Sequence, residues 1–320
     1  MRRGAGVALR LAVGLGALAW LVTRIDPGLA RSTLSSADPA WLAAALGGQI
    51  GAKLFWLLRW DELLASTGHR RPLGRLLRWI LVGLFFNNFL PSSVGGDVAR
   101  GLGLAGDGVP RATAAASVVL DRLIGMVALC VMAVAGGALG RMLWPGEGPW
   151  GAAALCALAA AILLFALLRP GVLGRLARAR GLPEAVASRA RRLLDAMALV
   201  SGRGEVVARA LAHSLGLSAC SAFFHWSVAR ALDLPVPLLA FFVIVPTVML
   251  FASLPITLNG LGIREVGFVA FLGAQGAPPS VSAVFAFLVF ALPLLFALAG
   301  GALFLAGSRP AAARRGSGGT

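Results

Sequence analysis

Apolar residues fall in long runs, at about 5–23, 39–58, 73–90, 113–140, 150–168, 206–232, 237–255 and 281–306, with few charges inside them. A helix needs roughly 20 apolar residues to cross a bilayer core. No ten-residue alternation of the barrel-strand kind occurs. The pattern predicts an all-α, polytopic helical membrane protein of about eight spans. Two runs end in a matching way. One reads Phe89-Leu90-Pro91-Ser92-Ser93-Val94-Gly95-Gly96-Asp97-Val98-Ala99-Arg100, the other Leu254-Pro255-Ile256-Thr257-Leu258-Asn259-Gly260-Leu261-Gly262-Ile263-Arg264-Glu265. A shorter apolar segment follows each, at about 94–105 and 261–274. Proline and glycine stop a helix and leave backbone groups unpaired. In a bilayer this is tolerated only where the backbone is buried in protein or lines a wet cavity. Paired breaks in corresponding halves point to a transporter's binding region.

Charge decides how these runs are threaded. Segment 169–205 carries Arg169, Arg175, Arg178, Arg180, Arg189, Arg191, Arg192 and Arg203, which marks it as cytoplasmic. The N-terminus, His69-Arg70-Arg71 and the basic C-terminus belong on the same side. Eight alternating spans would put 169–205 outside. The conflict disappears if each break is the tip of a re-entrant broken-helix hairpin, the first opening to the cytoplasm and the second to the outside. That is an inverted-repeat arrangement with both termini cytoplasmic. The domain expectation is one transmembrane unit over 1–308 and a disordered cytoplasmic tail at 309–320. Within the arginine-rich loop, 184–200 reads as an amphipathic helix with Val186, Leu193, Met197 and Val200 on one face, suited to an anionic lipid surface.

Composition agrees with a membrane protein: 58% of the 320 residues are hydrophobic and 13% charged. The net charge of +16 sits at span ends and in the loop, so it reads as membrane orientation and not as nucleic-acid binding. Cys130, Cys156 and Cys220 lie in apolar spans without metal or CxxC spacing, as small core residues. The N-terminal run imitates a secretory signal, but Gly28-Leu29-Ala30 is a poor cleavage site, and a retained first span is expected. His69, His213 and His225 form no metal constellation. No nucleophile, cofactor motif or NTPase loop stands out, so the expectation is no enzyme, no metal and no cofactor.

The candidate substrate-binding residues cluster at the breaks: Asn87, Asn88, Ser92, Ser93, Gly95, Gly96, Asp97 and Arg100 at the first, Asn259, Gly260, Arg264 and Glu265 at the second, with Asp121 and Arg122 early in 113–140. The asparagines suit either capping or headgroup binding. A lone charge at mid-membrane costs about 2.5–3.5 kcal/mol, so these groups should pair or face water. Two roles stay open. The acids could neutralise Arg100, Arg122 and Arg264 in buried pairs, or the arginine forks could hold a phosphate. Arg59 and Asp61 read as interfacial, with Trp56 and Trp60 as belt aromatics, and Lys53 lies deeper.

The first break, followed by Ser117-Val118-Val119-Leu120-Asp121-Arg122-Leu123-Ile124-Gly125, together with the second break, resembles the lysylphosphatidylglycerol synthase membrane-domain family, the flippase-like domain proteins. The resemblance covers nearly the whole chain. It implies a bacterial or archaeal inner-membrane protein associated with moving lipids or lipid-linked intermediates between leaflets, and the expected function is translocation of an anionic phospholipid or polyprenyl-linked intermediate in a bacterial inner membrane. The alternative is a non-catalytic membrane partner that presents lipid to a separate glycosyl- or aminoacyl-transferase. Larger members carry a cytosolic aminoacyl-transfer domain after this one; none is read here, so aminoacyl transfer is not expected.

Overall fold

The computed structural model describes residues 27–89, 94–143, 202–253 and 262–307, with isolated positions between 158 and 200. The expected runs 5–23 and 150–168, most of the arginine-rich loop and the tail lie outside the described residues. So do the two break tips.

Among the described residues every element is helical. They are α1 (Pro27–Ser35), α2 (Pro39–Ala65), α3 (Leu73–Phe89), α4 (Gly95–Gly106), α5 (Arg111–Leu143), α6 (Gly204–Ala231), α7 (Leu238–Ser253), α8 (Ile263–Gly273) and α9 (Pro279–Gly307). Among the described residues, four segments are long and apolar enough to span a membrane: Pro39–Ala65, Arg111–Ala138, Gly204–Ala231 and Pro279–Ala306. The 17 residues of α3 and 16 of α7 reach only about 24–26 Å, short of a core roughly 30 Å thick.

Helices α2 and α6 run antiparallel along their whole length. Asp38 starts α2, its carboxylate accepting from the Ala40 N–H at 2.8 Å with Pro39 in the first turn, where a missing N–H is harmless. The Asp38 N–H in turn donates to the Ala231 carbonyl at the end of α6. Further along, a Cβ on Gly48 would stand 3.1 Å from the Phe224 nitrogen, and one on Gly216 would enter the Phe55 ring. At the far end Arg209 bonds Glu62. Small residues let the backbones close, the usual solution where neighbouring lipid is as apolar as a side chain.

The first break forms a helical hairpin. Asp107, just past α4, accepts from Trp79 Nε1 at 2.7 Å and Arg75 Nη1 at 3.0 Å, both near the start of α3. At the other end Asn87 Oδ1 accepts from the Gly96 N–H at 2.8 Å. The chain therefore enters and leaves this pair at one end of the bundle. Gly96 permits it, since a Cβ there would lie 2.1 Å from the Gly83 carbonyl oxygen. The outer side of α3 meets α9 at Gly300, where a Cβ would fall 1.9 Å from the Leu81 oxygen.

Helices α7 and α8 pair in the same way, Gly267 lying against Val248. With α6 and α9 they enclose an apolar core that includes Phe224, Phe241, Phe268 and Phe285. Pro246 has no N–H to give the Phe242 carbonyl, and Gly136 of α5 sits against that oxygen. Met197 and Val200, expected to face lipid, are instead buried in a cluster with Leu63, Leu120 and Val207. A ready-made protein groove between α2, α5 and α6 takes this apolar face before lipid can.

Candidate functional site

Asp121 stands on α5, 2% exposed and one turn before Gly125. Three donors from two other helices converge on it: Arg59 Nε at 2.6 Å, Arg100 Nη2 at 2.8 Å and Trp56 Nε1 at 2.9 Å. Gly125 leaves room for Arg59, whose Nη1 would lie 3.0 Å from a Cβ there. The same nitrogen donates to Ser214 Oγ at 3.0 Å, and that hydroxyl donates onward to the Ala210 carbonyl. Arg100 lies over the rings of Trp60 and Trp56, 4.1 and 4.9 Å from their centroids. Trp60 is held by its own bond to Ser117 Oγ. A buried guanidinium stacked on indoles and bonded to a carboxylate is well suited to low-dielectric surroundings.

Asp97 extends the cluster. It pairs with Arg122 and lies 3.6 Å from Arg100 Nη1, one helical turn away. In the first turn of α4 its charge also complements the helix dipole. Val94, at the N-cap, has no capping side chain, and Asn87 supplies the missing acceptor from α3. These groups border a cavity of about 410 Å³. Its charged wall holds Arg59, Asp97, Arg100, Asp121 and Arg122; Met126, Leu129, Leu217, Val245 and Met249 are apolar, with Ser218 and Ser221 of α6 among them. Three arginines face two aspartates here, a formal excess of one positive charge. Among the described residues, Arg100 Nε is buried with no hydrogen-bond partner.

The structure thus brings together Asn87, Asp97, Arg100, Asp121 and Arg122, with Gly96 fixing the hairpin beneath them. Gly95 opens α4 beside them. Asn88 is exposed and turns back to the Leu84 carbonyl at 2.8 Å. Ser92, Ser93, Asn259 and Gly260 lie outside the described residues. Arg264 and Glu265 are placed separately and do not line the cavity. Arg264 Nη2 meets Glu265 Oε1 at 2.8 Å over the Phe290 ring. Glu265 also accepts from the Gly262 N–H at 2.7 Å, capping α8 at a glycine with φ of 85°.

Arg59, Trp56 and Trp60 correct the interfacial reading. Arg59 is 6% and Trp60 0% exposed, because α2 continues to Ala65, past the end of the apolar run at 58. The signal was available: Trp56, Arg59, Trp60 and Leu63 recur at helical spacing along one stripe. Lys53 lies one turn earlier, donating to Gln49 Oε1 and standing over Phe296. His225 is packed against Phe268 and bonds the Ser221 carbonyl. Among the described residues no group of His, Cys, Asp or Glu has metal-binding geometry.

A family model described as the lysylphosphatidylglycerol synthase transmembrane region matches residues 7–301. The chain belongs to that family. Comparison with curated proteins finds no match. The match to the lysylphosphatidylglycerol synthase transmembrane region covers both hairpins and every helix contributing to the cavity, and the apolar helices agree with a multi-pass membrane protein.

Proposed function

We infer that this protein moves an anionic phospholipid or lipid-linked intermediate between the leaflets of a bacterial inner membrane. One observation carries the reading: a cavity lined by three arginines with an excess positive charge and, on α5, α6 and α7, by mostly apolar side chains, built into apolar helices. A phosphate would bind among Arg59, Arg100 and Arg122 while hydrocarbon stays with the apolar side. The protein carries the lipid and makes or breaks no bond in it. The short paired helices α3–α4 and α7–α8 act as re-entrant hairpins from the cytoplasmic and outer sides respectively. The family and the arginine placement support that orientation, with both termini cytoplasmic.

The test reconstitutes the full chain in vesicles with headgroup-labelled phosphatidylglycerol or phosphatidylethanolamine. The anionic lipid should equilibrate across the bilayer faster than the zwitterionic one, and Arg100→Gln should remove the difference. Equal rates for both lipids would count against the headgroup site. Movement of neither, restored by adding a membrane transferase, would favour a lipid-presenting partner instead.

A further inference from the structure

We propose that the groove between α4 and α5 holds a hydrocarbon chain of the lipid whose headgroup occupies the cavity; the headgroup's placement rests on the translocation reading above. The groove has a volume of about 300 Å³. Val98 and Leu102 of α4 wall it on one side, Val118 and Val119 of α5 on the other, with Gly101 and Ala115 between them and Arg111, at the start of α5, also in the lining. Val98 and Leu102 are 54% and 63% exposed, so this face of a membrane protein meets hydrocarbon. A Cβ on Gly101 would touch nothing within 4 Å, which leaves the space open to a ligand.

Asp97 borders both the groove and the polar cavity. Asp97 is thus a shared wall with the two spaces on either side of it, and its charge is neutralised by Arg122 and Arg100. From Asp97 to Ala105 the groove follows α4 for about 12 Å at 1.5 Å per residue. An amphiphile with its phosphate at the arginines finds an apolar path beginning at its own glycerol or first isoprene unit. A water-soluble anion would have no use for it. The groove makes the site selective for chain-bearing anions and ties the chain to the hairpin.

The test places the full chain in phosphatidylcholine vesicles containing phosphatidylglycerol with a photoactivatable group midway along one acyl chain. Crosslinks should map to 98–105 and 115–119, exceed those from phosphatidylcholine bearing the same chain by several-fold, and fall to that level in Gly101→Trp. Headgroup binding is read apart from this, by titrating the detergent-solubilised protein with glycerophosphoglycerol, which has no chains. Gly101→Trp should keep that affinity within about twofold, a difference of well under one decade. If Gly101→Trp does not fold, Val98→Asn carries the same expectation from the exposed wall. Equal crosslinking by the two probes, or crosslinks that persist in the folded variant, would reduce the groove to ordinary boundary lipid and overturn the proposal. Crosslinking requires no transport. Selective crosslinks in a protein that moves no lipid would therefore refute translocation and spare the groove, whereas transport without selective crosslinks would do the reverse.

Discussion

Asp121 accepts from two guanidinium groups and an indole, so its loss leaves Arg59 and Arg100 buried with one carboxylate fewer. Removing one partner of a buried ion pair costs about 3–5 kcal/mol. Asp121→Asn should therefore lower the midpoint of thermal unfolding in detergent far more than Asp107→Asn, whose ion-pair partner Arg75 is half exposed. Comparable losses would mean the cluster is wetter than its geometry. Arg264 gives the complementary case. Arg264→Gln strands Glu265 and should reduce folded yield, while Arg264→Gln/Glu265→Gln should recover it with wild-type transport per folded molecule, because neither residue lines the cavity. Low transport from the recovered double variant would return Arg264 to the headgroup site. The acids and arginines of α4 and α5 were legible in the sequence because a charge within apolar sequence needs a partner. Arg59 carried a signal too, the helical stripe it shares with Trp56, Trp60 and Leu63, but the nearby Asp61 and Glu62 made it read as the edge of the membrane.

At the level of elements, several apolar runs marked helices to within a few residues, as 73–90 did Leu73–Phe89 and 261–274 did Ile263–Gly273, while 39–58 stopped seven residues short of Ala65. Periodicity and helix-stopping residues are local, so they can be read locally. The packing partner of each helix is set by which glycines face which backbones, and no local pattern records that. Gly96 and Gly101 lie on the same short helix yet predict opposite outcomes. Gly96→Ala would press a methyl group onto the Gly83 oxygen and should cost about 1–3 kcal/mol through overpacking. Gly101→Ala meets open space and should be neutral or mildly stabilising through helix propensity. Denaturation of both variants in one detergent would decide it, and a tolerated Gly96→Ala would show that the hairpin can spread freely.

For the whole molecule, the inverted threading is an expectation from arginine counting, while pairing of α3 with α4 rests on Asp107 and Asn87. Gly106 and Ala274, at the ends of the two hairpins, should then lie on opposite sides of the membrane. With Cys130, Cys156 and Cys220 replaced, an impermeant maleimide added to intact cells should label Ala274→Cys and leave Gly106→Cys unmodified until the cells are opened. Labelling of Gly106→Cys from outside would overturn the orientation.

The hairpin α3–α4 is fastened differently along its two flanks. Toward α9 the join includes glycine against a carbonyl at Gly300 and Leu81 and ring contacts of Phe85 and Phe86, with no ion pair among the described residues. Toward α2 and α5 it depends on guanidinium, carboxylate and indole. The first flank has one charged contact, Arg78 Nη2 donating to the Leu303 carbonyl at 3.4 Å, whereas the second is built mostly of charged groups and is the more sensitive to a charged visitor. Under the proposed function, a phosphate entering the cavity would compete with Asp97 and Asp121 for the arginines of the second flank, so the ligand's own charge would loosen that side of the hairpin and leave the α9 side in place.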